Sequence, residues 1–278
     1  MISFIGAGKV GTALSLYFKQ KGLQIGGFYS RTHSHALDAC KLTGSTAFSS
    51  ISELLKDSSM VWITVSDDSL ETVAKEIAQL DIPAHIKAFI HTSGVHSNKA
   101  LQSIQEKGFA TYSAHPLMAF GKANESAKQL SDIYFSLETS SETKDDYLLR
   151  FFKKTENSVL RIDTDKKELY HCAASVLSNY LVTLLNLAYE MFAESGMTKN
   201  EIKEATAPLL QSTLANIAKN DEMKNALTGA IKRGDRKTVV KHLDVLKEVM
   251  PNKIILYKEL GKETMDMLQD YRLKDLLG

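Results

Sequence analysis

Two groups of residues in this sequence have types and spacings that could carry chemistry. Gly6, Gly8 and Gly11 stand at G-x-G-x-x-G spacing in FIGAGKVGTAL. His91 and His115 each follow a β-rich run, in HTSG and SAHPLMAF. Glycines so spaced, between a strand and a helix, permit a tight turn, close approach of backbone to a pyrophosphate, and close packing of helix on strand. Here ISFI precedes them and VGTALSLYFKQKG follows, apolar at Val10, Ala13, Leu14, Tyr17 and Phe18. The free N–H groups at the start of that helix then face the phosphates. With Ala7 and Lys9 completing the loop, this stretch predicts a dinucleotide cradle.

The next strand distinguishes between dinucleotides. A ribose 2′-hydroxyl calls for a carboxylate about 20 residues on, yet no Asp or Glu occurs between Gly11 and Asp38. FYSRTHSH stands there instead. Ser30, Arg31 and Thr32 supply a planar cation and two hydroxyls, the chemistry of a 2′-phosphate. NADP is therefore the expected cofactor; His33 and His35 either line its adenine end or, as is more common for loop histidines, are simply solvated.

Hydride transfer at carbon needs a group that gives or takes a proton at the neighbouring oxygen or nitrogen, and histidine suits neutral pH. Ligands of doubly wound sheets sit at the carboxyl ends of the strands. After MVWITV the backbone of Val65, Ser66 and Asp67 is expected to run past ribose and nicotinamide, with Asp67 and Asp68 also serving as acids at a helix start. After AFI comes HTSG, bringing His91 and Ser93. After FATYSA comes His115, held extended by Pro116. Either histidine could be the acid/base.

A long apolar helix offers a second wall, with His171, Ser175, Ser178, Asn179 and Asn186 within about 100° of one another on a helical wheel. Ser175 and Asn179 would orient a small polar substrate. His91, His115, His171 and Cys172 lack ligand spacing, so no metal site is expected. In LTGAIKRGDRKTVVKHL, Asp235 reads as a helix cap, leaving Arg233 and His242 without a role.

These residues need a scaffold. Up to about residue 163 the β-rich runs ISFI, QIGGFYS, MVWITV, AFIHTS, FATYSA and IYFSLE alternate with helical stretches, the pattern of an α/β, doubly wound parallel Rossmann sheet. From 164 onward the chain reads as an all-helical C-terminal domain, with Thr164 placed to cap its first helix. The predicted division is thus 1–163 and 164–278. With 34 basic against 33 acidic residues, the net charge of +1 leaves no footprint for nucleic acid or an anionic membrane. AASVLSNYLVTLLNLAYEMF is interrupted by Ser175, Ser178, Asn179, Asn186 and Glu190, which predicts a buried helix of a soluble protein. Two cysteines and the lack of a signal-like opening make the cytoplasm the expected compartment.

Taken together, FIGAGKVGTAL, ITVSDD, HTSG, SAHPLMAF, AASVLSNYLVTL and TGAIKRGD resemble the 6-phosphogluconate dehydrogenase-like superfamily. The closer resemblance is to an uncharacterised branch with a Rossmann-like domain followed by a domain of unknown function. The resemblance implies NADP binding, reductase or dehydrogenase activity, and a homodimer through the helical domain; it supplies no substrate, and the residues themselves lead us to expect a small polar metabolite between the two domains. Hydroxyacid dehydrogenases of the superfamily carry a lysine four residues before an asparagine on the interdomain helix. Asn179 fits that asparagine, but Ser175 stands where the lysine would be, so His115, His91 or His171 would take over. Prephenate dehydrogenases and pyrroline-carboxylate reductases are distant relatives, which keeps cyclic acids and imines among possible substrates. The alternative expectation is a sensor that holds NADP(H) without turnover.

Overall fold

The computed structural model describes residues 1–139 and 147–278. Eight strands form one sheet in the order β3-β2-β1-β4-β5-β6-β7-β8. They are β1 (Ile2–Ile5), β2 (Ile25–Tyr29), β3 (Thr46–Ala47), β4 (Met60–Ile63), β5 (Ala88–His91), β6 (Thr111–Pro116), β7 (Tyr134–Thr139) and β8 (Ser158–Arg161). Every neighbouring pair is parallel except β6 and β7. The expected doubly wound Rossmann sheet is therefore present, with strand order reversing beside β1. Two strands go beyond the sequence reading. β3 has only two residues, and β8 is a largely exposed edge strand without a strong apolar run.

The helices that cover the sheet are α1 (Lys9–Gln20), α2 (His33–Thr43), α3 (Ile51–Lys56), α4 (Asp67–Gln79), α5 (Gln102–Gln105), α6 (Ala123–Gln129) and α7 (Tyr147–Thr155). Strands buried on both faces read as continuous apolar runs, and alternation sorts their side chains into two cores. Phe4, Trp62, Ile90, Tyr112 and Phe135 pack with Phe18 of α1 and Phe152 of α7. Ile5, Val61, Ile63 and Phe89 pack on the other side with Leu54 of α3 and Ile77 of α4.

Backbone contacts divide the chain into Met1–Leu181 and Val182–Gly278. The long helix crosses that division as α8 (Lys167–Ser175), a π-helical turn at Val176–Tyr180, and α9 (Leu181–Glu194). The second unit continues with α10 (Lys199–Lys219), α11 (Met223–Ala226), α12 (Ala230–Arg233), α13 (Arg236–Val249), α14 (Ile254–Leu268) and α15 (Lys274–Leu277). Its core joins Val239 and Leu243 of α13, Met265 of α14 and Leu277 of α15. Asp235 caps α13 through the Thr238 N–H, as expected.

One expectation is corrected. The long apolar helix is not buried within this chain: Leu169, Leu177, Tyr180 and Val182 are all well exposed. Only the side of α8 that carries Lys167 packs closely on the sheet, and one covered stripe cannot bury a helix that is apolar all round.

Candidate active site

The cradle forms where β1, β2 and β4 end, at the reversal of strand order. Gly6 has φ +107°, and a Cβ there would meet the Thr64 carbonyl at 2.6 Å. Only glycine fits that turn. Gly11 is pressed against Thr64 Oγ1 and the Gly6 carbonyl, where a Cβ would lie within 2.4 and 2.6 Å. It is the close-packing position between helix and strand. Gly8 differs, since nothing lies within 4 Å of where its Cβ would point. It N-caps α1 and offers the first-turn N–H groups no side-chain partner, leaving open space in front of it.

That space belongs to a cavity of about 600 Å³ whose lining includes Gly6, Ala7, Gly8, Ser30, Arg31, Thr32, Val65 and Ser66. Lys9, exposed, and Val10, partly buried, begin α1 beside it and are not among its lining residues. Thr64 and His35 line it as well; Thr64 was missed from the sequence, whereas His35 stands where the adenine-end alternative put it, on α2 rather than in a loop. Thr64 Oγ1 donates to the Gly6 carbonyl at 2.8 Å and so braces the loop. An open glycine at the start of a helix, with a guanidinium and two hydroxyls in the same lining, fits a dinucleotide bearing a 2′-phosphate.

A second cluster lies across β5, β6 and β7. In the segment TYSAHP of β6, alternation sends Tyr112 and Ala114 into the apolar core and Thr111, Ser113 and His115 to the opposite face. Register places Ser113 beside His91 on β5 and Glu138 on β7, and His115 beside Ser136. This face is polar, and α8 covers it with Lys167, Tyr170 and His171, three residues at i, i+3 and i+4 on one side of the helix.

Each of the three meets the sheet. The Lys167 ammonium, 2% exposed, donates to Ser113 Oγ and lies 3.8 Å from the Glu138 carboxylate. Tyr170 Oη is 3.0 Å from His115 Nδ1. The His171 ring stands edge-on to that of His115, 6.1 Å between centroids. Gly94 passes against both rings, since a Cβ there would lie 2.4 Å from His171 Cδ2 and 2.9 Å from His115 Nε2. The turn after β5 is held by hydrogen bonds from the Ser93 N–H to His91 Nδ1 (3.2 Å) and from the His96 N–H to Ser93 Oγ (3.0 Å).

Burial dominates the electrostatics. It lowers His91 to about 3 and His115 to about 4, with the Lys167 cation adding to both shifts. Burial also brings Lys167 down to about 8, opposed by Glu138 and by Asp67. Asp67, the residue after Ser66, is exposed at the start of α4, and its charge also opposes the lowering of His115.

The cluster brings together His91, His115 and His171 from the sequence-predicted set. Ser175 follows half-buried on the last turn of α8, and Asn179 is exposed in the π-helical turn. Ser178 Oγ bonds back to the Ala174 carbonyl, and Asn186 to Glu190. The i, i+4 pair that faces the sheet is therefore Lys167 and His171, not Ser175 and Asn179. Lys167, Tyr170, Ser113 and Glu138 were missed. Thr164 does not cap the helix, because its hydroxyl donates to Glu138.

Residues 1–116 match the family model of a Rossmann-like domain, and residues 133–264 match a domain of unknown function, DUF2520. No match was found among curated proteins. A Bacteroides fragilis protein provisionally described as an NADP oxidoreductase superposes with a TM-score of 0.77 at 21% identity, covering 95% of this chain and 97% of its own. A Thermotoga maritima protein gives 0.71 at 25% identity, with 97% and 98% covered. A reductive aminase from Aspergillus terreus, in complex with NADPH and ethyl levulinate, gives 0.68 at 13% identity, with 95% and 93% covered.

Proposed function

From its architecture, a Rossmann-like domain followed by a DUF2520 domain, we propose that this chain is an NADP-dependent oxidoreductase acting on a small polar metabolite. The observation that carries the reading is adjacency within one unit. The dinucleotide cradle is lined by Thr64, Val65 and Ser66 just past the end of β4, and the His91–His115 cluster stands at the ends of β5 and β6, the next two strands of the same sheet. The cofactor, when bound, supplies or accepts the hydride. The glycine loop and the start of α1 hold its pyrophosphate, and Ser30, Arg31 and Thr32 hold its 2′-phosphate.

His115 is neutral at pH 7, so it takes a proton from substrate oxygen or nitrogen as hydride leaves the adjoining carbon. In the reductive direction the same imidazole, once protonated, returns that proton. Tyr170 fixes the His115 ring, and Lys167 provides the positive charge behind it. The fold shared with an NADPH-bound reductive aminase supports including imines with ketoacids and cyclic acids among candidate substrates. The exposed apolar side chains Leu177, Val182 and Ile255 support a homodimer through the helical domain, and light scattering of a monomer would refute that part.

The test is fluorescence titration of the purified protein with NADPH and NADH. Tight, NADPH-selective binding is expected and would lead to a substrate screen by NADPH oxidation. Binding of neither nucleotide would overturn the reading.

A further inference from the structure

We propose that Glu138 is the positioning residue of this site, holding Lys167 as an ammonium directed at Ser113. The inference rests on reading the α8–β6 cluster as the reaction site. Glu138 is almost fully buried on β7, an unusual place for a carboxylate unless it is paired. Its Oε1 accepts from the Asn98 N–H at 2.9 Å and from Thr164 Oγ1 at 3.0 Å. These two bonds tie it to the turn after β5 and to the start of the long helix. Its Oε2 makes no hydrogen bond and faces Lys167 at 3.8 Å. One oxygen anchors the carboxylate, and the other is left for the ammonium.

Lys167 needs such a partner. His115 on β6 and His91 on β5 face it from the sheet but are neutral, and Asp67 at the start of α4 is exposed to water. Glu138 is the buried negative charge among the groups that act on it. A buried amine without a counter-charge loses its proton and can then accept the Ser113 hydroxyl proton. As an ammonium it can only donate, so the Ser113 hydroxyl hydrogen is released to point elsewhere. Glu138 also lines a second cavity, of about 620 Å³, with Asn98, Gln102 and Thr164.

The experiment is a pH titration of protein labelled with ¹³Cε-lysine, followed by NMR, with the Lys167 signal assigned by its loss in Lys167→Arg. Glu138→Gln keeps shape and a hydrogen-bond acceptor while removing the charge. The Lys167 midpoint should fall by about one unit or more in this variant. Thr164→Val, which removes one anchoring bond and keeps the charge, should shift it far less. If Glu138→Gln does not fold, Glu138→Asp draws the charge back by one methylene and should give a smaller fall. An unchanged midpoint in whichever glutamate variant folds would overturn the proposal. NADPH titration of the same samples separates this outcome from the oxidoreductase reading, because Glu138 lies outside the cradle and its variants should bind NADPH as the wild type does.

Discussion

Tyr170 Oη and His115 Nδ1 lie 3.0 Å apart across the interface of α8 and β6, and the contact determines which imidazole nitrogen is left for chemistry. With Nδ1 engaged, Nε2 lies beside Gly94 and His171. His115→Ala should reduce turnover by about 10²- to 10⁴-fold, the usual contribution of a positioned acid/base, with NADPH affinity nearly unchanged. Tyr170→Phe should lower kcat less, because it loosens the ring without removing it. Steady-state kinetics on the first substrate from the screen, together with NADPH titration, would check both. A loss of NADPH affinity in His115→Ala would move that residue from the reaction to the cofactor.

Arg31 is the cation at the β2 end of the cradle, next to Ser30 and Thr32 in the same cavity lining. A charge-assisted hydrogen bond to phosphate contributes more than a neutral one. Arg31→Ala should therefore weaken NADPH binding by about tenfold to a hundredfold and leave NADH binding almost unchanged. Equal losses for both nucleotides would refute the 2′-phosphate assignment.

His91 links the site to acid stability. Burial lowers it from 6.5 to about 3 in the folded chain, so the unfolded chain binds the proton first as pH falls. The neutral folded form contributes its full stabilisation above pH 6.5, and this is lost progressively between pH 6.5 and about 3. His115, lowered to about 4, acts with the same sign. Melting temperatures measured from pH 7 to pH 4.5 should fall more steeply for the wild type than for His91→Gln. Parallel curves would mean that His91 is not held neutral by the fold.

Much of this fold was legible from sequence because its signals are local. ISFI running into Gly6, Gly8 and Gly11 specifies strand, turn and helix within twenty residues, and the six apolar runs all became strands. The second cluster was only half legible. His91 and His115 stand out by residue type, whereas Lys167 is one of two adjacent lysines in TDKKELYH. Lys166 pairs with Asp163 in solvent, while Lys167 is buried, and composition cannot separate them. What separates them is the phase of α8 against the sheet, with Lys167, Tyr170 and His171 on one side, and that phase is set by tertiary packing. Glu138 was hidden for the same reason. A carboxylate near the end of a strand reads as solvent-facing until β6 and a returning helix enclose it.

The glycines of the cradle should separate folding from binding. Gly11→Ala places a methyl against the Gly6 carbonyl and Thr64, and should destabilise the chain by about 1–3 kcal/mol. Gly8→Ala meets no protein atom within 4 Å. It should leave the melting temperature nearly unchanged while weakening NADPH, because the methyl enters the space the pyrophosphate needs. Thermal melts and titrations on the two variants test this contrast, and unaltered NADPH affinity in Gly8→Ala would remove the phosphates from that position.

Gly94 separates the two clusters in the same way. It lies in the turn after β5, and a Cβ there would overlap the His171 ring and crowd His115 Nε2. Both neighbours are side chains, which can swing aside where backbone cannot, so Gly94→Ala should fold. To accommodate the methyl, His171 must leave its edge-on position beside His115, and the His115–Tyr170 contact is then strained. Turnover should therefore fall by an amount approaching that of His115→Ala, while NADPH binding, which depends on Gly6, Gly8 and Arg31, stays near wild type. Full activity in Gly94→Ala would show that the spacing of these two rings is not what the reaction requires.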